Sequence, residues 1–472
     1  MRSLRNPHRL ASLIMKHDYR AAFCFLLALC VALLLRLPLS AQTQSPVIPN
    51  APPLSALRLN PQQLKASLDA GNVAEAVQQL EQGWRQQLNE YYGRYFRTEL
   101  FPPEQIAQGL RQTASTTGQR SALIYAVSIP EQLEIILLLP SGQLRHHRVT
   151  EASAEVLTTT TRNLRMGLVN INTSTSEYLP PAQQLYRWII EPLKPVLEEQ
   201  GITNLIFCLG GKLRSVPMAA LHDGQQFLIE QYSIGIIPAF NLLDRRPSQL
   251  SEAQVLAMGA SEFQNQEPLP AVPVELAAIR QLWPGEVRLN QQFTVENLRQ
   301  QRSRQPFSLI HLATHADFAP GSVQNSYIQF WDRRLWLDQL RDMNLQAPPV
   351  ELLVLSACRT ALGDTNAELG FAGLAVQSGA KAALASLWKV SDSGTVALMT
   401  GFYQNLKTAP TKGEALRQTQ LALLQGRLNL DNPVIQQVLR NVPHPSEVVD
   451  MATTRLSHPY YWSGFTMIGN PW

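Results

Sequence analysis

The chain has 472 residues, 45% of them hydrophobic and only 16% charged, so it is large enough for two or three domains and is not disordered by composition. Its formal charge of +4 comes from the first 40 residues, which hold six Lys or Arg and one Asp. The remaining chain carries −1 and lacks the basic balance that binding to nucleic-acid phosphates requires. Four cysteines, two of them within those 40 residues, are too few for a disulfide scaffold or a cysteine-built metal site.

An apolar run over residues 21–35 follows a basic stretch and precedes the small-residue pair Ser40-Ala41. This layout predicts a cleaved signal peptide over residues 1–41. Extended to Leu39, the run nearly reaches the ~20 apolar residues that span a bilayer, so an uncleaved membrane anchor is the alternative, and an artefactual upstream start is a third. We expect a protein that is exported to the periplasm or extracellular space, or anchored to the inner membrane through this segment alone. The proline-rich residues 42–58 are predicted to form a linker.

The next region, residues 59–182, is predicted to hold a helical arm and a small β-hairpin. Apolar residues recur at helical spacing over 59–93 with Gly71 in a turn, which resembles one tetratricopeptide-type unit. A single unit cannot bury its own apolar face, so a packing arm is favoured over a peptide-binding array, although a regulatory protein partner could bind there. Two apolar runs over 122–140 predict the hairpin. The adjacent His146-His147 pair fits a solvated strand end better than a metal site.

From residue 183 to 472 the pattern changes to short, unbroken apolar strands that alternate with amphipathic helices. Such strands are typical of a largely parallel sheet that helices cover on both faces. We therefore predict an α/β fold, a three-layer α/β/α sandwich. Functional residues in such sheets lie at the carboxyl ends of strands.

Two of the predicted strands, 308–314 and 350–357, run into His315 and Cys358. A cysteine thiolate is a nucleophile, and an imidazole beside it lowers the thiol pKa and later protonates the leaving amine. The pair therefore suggests a Cys/His catalytic dyad, although these two residues alone do not favour it over a structural role. The alternative from these two residues alone is a buried strand-end cysteine and a structural core imidazole, and His311 is interpreted as such a packing residue.

A wider set of motifs, in chain order, resembles the CHAT domain, a family of caspase- and separase-like cysteine peptidase domains often attached to tetratricopeptide repeats. The motifs are LRSVP (213–217), PLP (268–270), HLATHADF (311–318), LVLSACRTALG (353–363), GFAGLA (370–375), ASLWKVSD (385–392) and HPYYWSGFTMIG (458–469). The resemblance implies a caspase-like sandwich with His315 as base and Cys358 as nucleophile. It also implies that the oxyanion is held by backbone N–H groups of Cys358 and of residue 316, where relatives usually carry glycine and this chain has Ala316.

The pocket for the residue before the cleaved bond has three candidates. Asp392 lies between a predicted strand and a predicted helix, where capping of the helix is the simpler interpretation. Glu368 and Asp317, like Asp364, are placed in loops after the dyad residues, where carboxylates without a role are more common. Several relatives prefer a basic residue before the cut, and a carboxylate would bind arginine by a charge-assisted pair.

No phosphate-binding glycine motif follows a strand, and the histidines lack metal-ligand spacing on a helix, so we expect no cofactor and no metal. The sequence therefore predicts a cysteine endopeptidase that acts on a protein or peptide substrate. Two alternatives stay open: a non-catalytic CHAT scaffold or signalling module, and a hydrolase or acyltransferase on another carbonyl substrate.

Overall fold

The computed structural model describes residues 59–96, 98–245, 248, 250, 252–360, 365–442 and 456–472. For residues 357–360, 365 and 366 the description covers the backbone. The predicted signal or anchor and the linker lie outside the described residues. Within the described ranges, no helix has the length and apolar character needed to cross a membrane.

The N-terminal arm consists of three helices, α1 (Pro61–Asp69), α2 (Val73–Tyr91) and α3 (Pro103–Thr117). Asn60 caps α1, because its side-chain oxygen accepts hydrogen bonds from the N–H groups of the first turn. Gly71 has a φ of +76°, which suits glycine in the tight turn between α1 and α2. The predicted pair of helices is present, with its turn at this glycine.

A single sheet of 13 strands forms the centre of the described chain. Seven of its twelve strand pairings are parallel, which confirms the predicted α/β fold with a largely parallel sheet. The strands are β1 (Ser121–Ile129), β2 (Gln132–Leu138), β3 (Leu144–Val149), β4 (Asn204–Leu209), β5 (Ser233–Ile237), β6 (Val255–Gly259), β7 (Gly285–Leu289), β8 (Leu309–Phe318), β9 (Tyr327–Gln329), β10 (Arg334–Trp336), β11 (Leu352–Thr360), β12 (Ala382–Ser386) and β13 (Phe465–Gly469).

The strand order is β10-β9-β8-β11-β12-β13-β5-β4-β1-β2-β3, with β6 beside β8 and β7 beyond β6. The predicted hairpin is present as β1 and β2, and it belongs to this sheet because β1 pairs in parallel with β4. His146 of the adjacent β3 has its Nε2 2.7 Å from Oε2 of the buried Glu134, and Arg148 of the same strand forms an ion pair with Oε1 of Glu134.

Further helices connect and cover the strands. They are α4 (Ala154–Val169), α5 (Thr175–Ile189), α6 (Lys194–Glu199), α7 (Leu228–Gln231), α8 (Val272–Leu282), α9 (Val295–Arg304), α10 (Thr365–Ala372), α11 (Leu374–Ser378), α12 (Asp392–Asn405), α13 (Lys412–Leu424), α14 (Pro433–Asn441) and α15 (Pro459–Trp462). Short 3₁₀ helices cover Gly211–Ser215, Met218–Ala220, Phe240–Leu242, Asn290–Gln292, Val323–Asn325 and Leu337–Met343.

Strand β1 shows how the layers are built. Its odd-numbered residues, such as Leu123 and Tyr125, are buried in the apolar cluster that includes α1, α2 and α3. Its even-numbered residues, such as Ala122 and Ile124, are buried in the main core with α4 and α5. Alternate side chains of a strand point to opposite faces, so this part of the sheet is covered on both sides, and the helical arm is one of the covering layers.

Candidate active site

Strands β8 and β11 lie side by side and run in parallel. Leu352 to Ser356 of β11 pair in register with Leu309 to Ala313 of β8. The register then shifts, so that Cys358 is the partner of Ala316 and β8 holds one residue more than β11 over this interval. Such a bulge redirects the chain locally and is common beside active sites. The backbone of His315 therefore lies next to that of Cys358.

The predicted strand 308–314 stopped short of the observed β8. Strand β8 continues through His315 to Phe318, because Ala316 and Asp317 also pair with the short strand β9. Strand β11 likewise continues past Cys358 to Thr360. Both residues, predicted at the ends of strands, thus lie within the observed strands.

The imidazole of His315 is oriented by a backbone carbonyl. Its Nε2 lies 2.8 Å from the carbonyl oxygen of Glu267, in the segment between β6 and α8. A carbonyl oxygen only accepts hydrogen bonds, so the ring donates its Nε2–H and Nδ1 keeps its lone pair. The ring of Phe263 packs against the imidazole, with 4.7 Å between ring centroids.

The charge state of His315 follows from this environment. Burial is the largest effect and lowers its pKa below the ordinary value of 6.5, and the nearby Lys389 ammonium lowers it further. The Glu267 carbonyl and the carboxylates of Glu267 and Asp392 act in the opposite direction but do not cancel the shift. His315 is therefore neutral at pH 7 and able to accept a proton at Nδ1.

Asp392 is the candidate pocket residue whose charge acts on His315. It is the first residue of α12, but the helix is capped by Ser391, whose Oγ accepts a hydrogen bond from Gly394 N–H; the capping interpretation of Asp392 is therefore wrong. Burial raises the pKa of the Asp392 carboxyl above its ordinary value of 3.8, and the Glu275 carboxylate raises it further. The backbone N–H of Ala271 opposes this shift.

The other candidates occupy different places. Asp317 is half-buried in β8, two residues beyond His315, and its register partners are Arg359 and Tyr327. Glu368 lies in α10 rather than in a loop, and its side chain is 1% exposed. Asp364 lies outside the described residues.

Glu368 has basic neighbours. Burial raises its pKa to about 7, while the Ser215 hydroxyl and the positive charges of Lys212, Arg165 and Arg214 act against the shift. Asp392 thus interacts electrostatically with His315, whereas Glu368 lies in a buried basic cluster.

A family comparison identifies the C-terminal part of the chain. The sequence profile of the CHAT domain matches residues 179–470, which is more than half of the chain. The chain belongs to the CHAT domain family. No curated protein matches it.

Solved structures with a similar fold include two structures of the Saccharomyces cerevisiae separase–securin complex, each 10% identical, with TM-scores of 0.45 and 0.48. Each match covers 85% of this chain and 34% of the separase chain, so this protein spans about a third of that length. A complex of the pro- and mature domains of Porphyromonas gingivalis RgpB is 10% identical with a TM-score of 0.36, covering 67% of this chain and 77% of that one.

Sequence reasoning missed three groups at the site of this CHAT domain. They are the carbonyl of Glu267, the ring of Phe263, and Lys389, whose Nζ lies 2.8 Å from Oε2 of Glu267. Phe263 and Glu267 follow strand β6, which is parallel to β8, and this position at the carboxyl end of a strand was the signal available for them. A carbonyl, in contrast, has no signature in the sequence.

Proposed function

We propose that this CHAT domain is a cysteine endopeptidase in which Cys358 is the nucleophile and His315 the general base and acid. One observation supports the proposal most strongly. The Glu267 carbonyl fixes the Nε2–H tautomer of a half-buried, neutral His315, and the register of β8 and β11 sets its backbone beside that of Cys358. A general base needs an Nδ1 that keeps its lone pair at the carboxyl end of a parallel strand, whereas a packing imidazole does not.

The proposed reaction follows from these assignments. His315 Nδ1 takes the thiol proton of Cys358, and the sulfur forms a bond to the carbonyl carbon of the peptide. Collapse of the tetrahedral intermediate breaks the C–N bond, and His315 returns its proton to the leaving amine. Water, deprotonated by His315, then attacks the thioester; the thiolate leaves and takes the proton back, which releases the acid product.

Backbone N–H groups of Cys358 and Ala316 are the proposed donors to the oxyanion. Ala316 is in an extended strand, and the described non-glycine residues with a positive φ are Asn290 and Asn344. An alanine is therefore compatible with the backbone at position 316, and the replacement of the usual glycine does not remove the N–H donor.

For the residue before the cleaved bond we propose an arginine or lysine bound by Asp392. A half-buried carboxylate beside His315 is costly to desolvate, and a substrate cation would offset that cost with a charge-assisted hydrogen bond. Glu368 fits this role less well, because basic side chains of the protein already surround it. Asp317 shares the strand of His315 and serves as the comparison residue in the tests below.

The test is cleavage of a degenerate peptide library by the full-length protein, read by mass spectrometry. We expect cuts after basic residues that disappear in both Cys358→Ala and His315→Ala. Cys208→Ala is the matched control, because Cys208 is fully buried in β4 and its Sγ donates to the carbonyl of Pro238. An absence of cuts, together with no labelling of Cys358 by a thiol-reactive peptide probe, would instead support the non-catalytic scaffold.

A further inference from the structure

A buried polar cluster lies in the core next to the two strands that carry His315 and Cys358. Its members come from four elements: Glu275 from α8, His311 from β8, Ser356 from β11 and Tyr403 from α12. Their exposures are 3%, 0%, 2% and 0%, so the cluster is closed to solvent. We refer to these four residues as the Glu275 cluster.

One carboxylate oxygen of Glu275 touches side chains of both strands. Glu275 Oε1 accepts a hydrogen bond from Ser356 Oγ at 2.5 Å and lies 3.1 Å from His311 Nε2. Tyr403 is on the other side of the same imidazole, with its hydroxyl 3.4 Å from His311 Nδ1. Helix α8 is thus hydrogen-bonded to β11, and the same oxygen lies against the imidazole on β8.

The contacts of Glu275 lie directly before His315 and Cys358 along the two strands. His311 precedes His315 by four residues, and Ser356 precedes Cys358 by two. Ser356 and its partner Ala313 form the last in-register pair before the bulge. The Glu275 cluster therefore holds the two strands together at the point where they leave their common register.

A carboxylate at this depth is an unfavourable choice for stability alone. Desolvation of a buried charge opposes folding, and apolar side chains of similar volume often pack as well or better. The hydrogen bond between Glu275 and Ser356, in contrast, is directional. With the His311 imidazole packed against the same oxygen, it fixes the relative position of the two strands more narrowly than contacts between apolar side chains can.

We infer that Glu275 is a positioning residue, which sets the relative placement of His315 and Cys358 by tying β8 to β11 directly before the bulge. The inference rests on the proposed peptidase function, and it assigns no contact with substrate to Glu275.

The test compares Glu275→Gln and Ser356→Ala with a matched buried pair elsewhere. Glu351 directly precedes β11, at the end of the strand far from Cys358. It is 6% exposed, and its Oε1 is 2.6 Å from Nζ of the buried Lys381. Glu351→Gln therefore disturbs an ion pair of the same sheet without touching the strand ends at the site. All three variants are made in the full-length protein, and thermal unfolding is measured alongside kinetics.

We expect Glu275→Gln and Ser356→Ala to lower kcat by about 10- to 100-fold with little change in KM, as for a misplacement of reacting groups. Glu351→Gln should lower the melting temperature about as much as Glu275→Gln does. It should nevertheless keep kcat within about two-fold of the wild-type value. Equal losses of kcat in Glu275→Gln and Glu351→Gln, or a rise in KM at unchanged kcat, would overturn the inference.

A second measurement separates this inference from the proposed function. The rate of Cys358 alkylation by iodoacetamide, followed on the Cys358 peptide by mass spectrometry, reports thiolate formation without any peptide cleavage. Slower alkylation in Glu275→Gln than in Glu351→Gln supports the positioning role even if the wild type cleaves nothing, in which case only the peptidase proposal fails. Equal alkylation in wild type and both variants overturns the positioning role.

Discussion

Replacement of Asp392 by asparagine tests the proposed specificity directly. The substitution removes the negative charge and keeps the size of the side chain. Two unit charges 4 Å apart attract by about 4 kcal/mol at the effective dielectric constant of ~20 that suits sites near a protein surface. Desolvation of both groups reduces this, so we take about 1.5–3 kcal/mol as the net value of the charged hydrogen bond.

At 1.36 kcal/mol per factor of ten, this range predicts a loss of about 10- to 160-fold in kcat/KM for arginine substrates. The assay compares two peptides that differ only in arginine or citrulline before the cut, because citrulline has the same shape without the charge. Wild type should prefer arginine strongly, and Asp392→Asn should lose most of that preference while it cleaves the citrulline peptide at a nearly unchanged rate.

Two matched variants complete the experiment. Asp317→Asn removes a carboxylate two residues beyond His315, and Glu368→Gln removes the one in the buried basic cluster. Neither should alter the ratio of arginine to citrulline cleavage. The reasoning would be refuted if Asp392→Asn reduced both rates equally, since that result would assign Asp392 to the orientation of His315 or to stability instead of to the substrate.

Three further predictions concern pH and stability. The pKa of His315 is lowered below 6.5, and the neutral imidazole is the active form, so kcat/KM should decrease on the acid side with a midpoint below pH 6.5. A midpoint above pH 7 would contradict the assigned environment. Glu81→Ala removes a buried carboxylate that accepts hydrogen bonds from Tyr125 and from the segment at Phe240. Each buried donor left without an acceptor costs about 1–3 kcal/mol, so the variant should lose about 3–5 kcal/mol in the free energy of unfolding by urea. The exposed Glu75→Ala in the same helix is the control, and a cost below ~1 kcal/mol would argue against this network. Ser391→Ala removes the cap of α12 and should cost about 1 kcal/mol in the same assay, whereas an unchanged unfolding midpoint would mean that the cap is dispensable.

The sequence predicts those helices and strands that are long enough for their apolar residues to show a regular spacing. The hairpin of β1 and β2, the core strands β8 and β11, and helices such as α12 were predictable from this pattern. It was not sufficient for the three-residue strands β9 and β10, which are too short to show alternation and depend on the extension of β8.

At the candidate site, too, sequence patterns predicted some groups and not others. Strand ends predicted the neighbourhood of His315 and Cys358, because parallel strands end at a common edge of the sheet. The correct helix cap, Ser391 rather than Asp392, differs by one residue, and only the backbone geometry decides it. The Glu267 carbonyl had no side-chain signal, and the spacing of apolar residues in α8 does not distinguish Glu275 from other residues of an amphipathic helix.

The pairing of β1 with β4 determines which fragments of this protein can fold when they are expressed alone. The family profile begins at residue 179, downstream of β1, yet Ser121 to Ala126 pair with Asn204 to Leu209 along the whole of β4. Expression from residue 179 would leave β4 with an open edge and would uncover the apolar face on which α1 to α3 pack. Open apolar edges recruit other chains, so such a fragment should accumulate as insoluble aggregates, and a soluble fragment should need the chain from α1 onward.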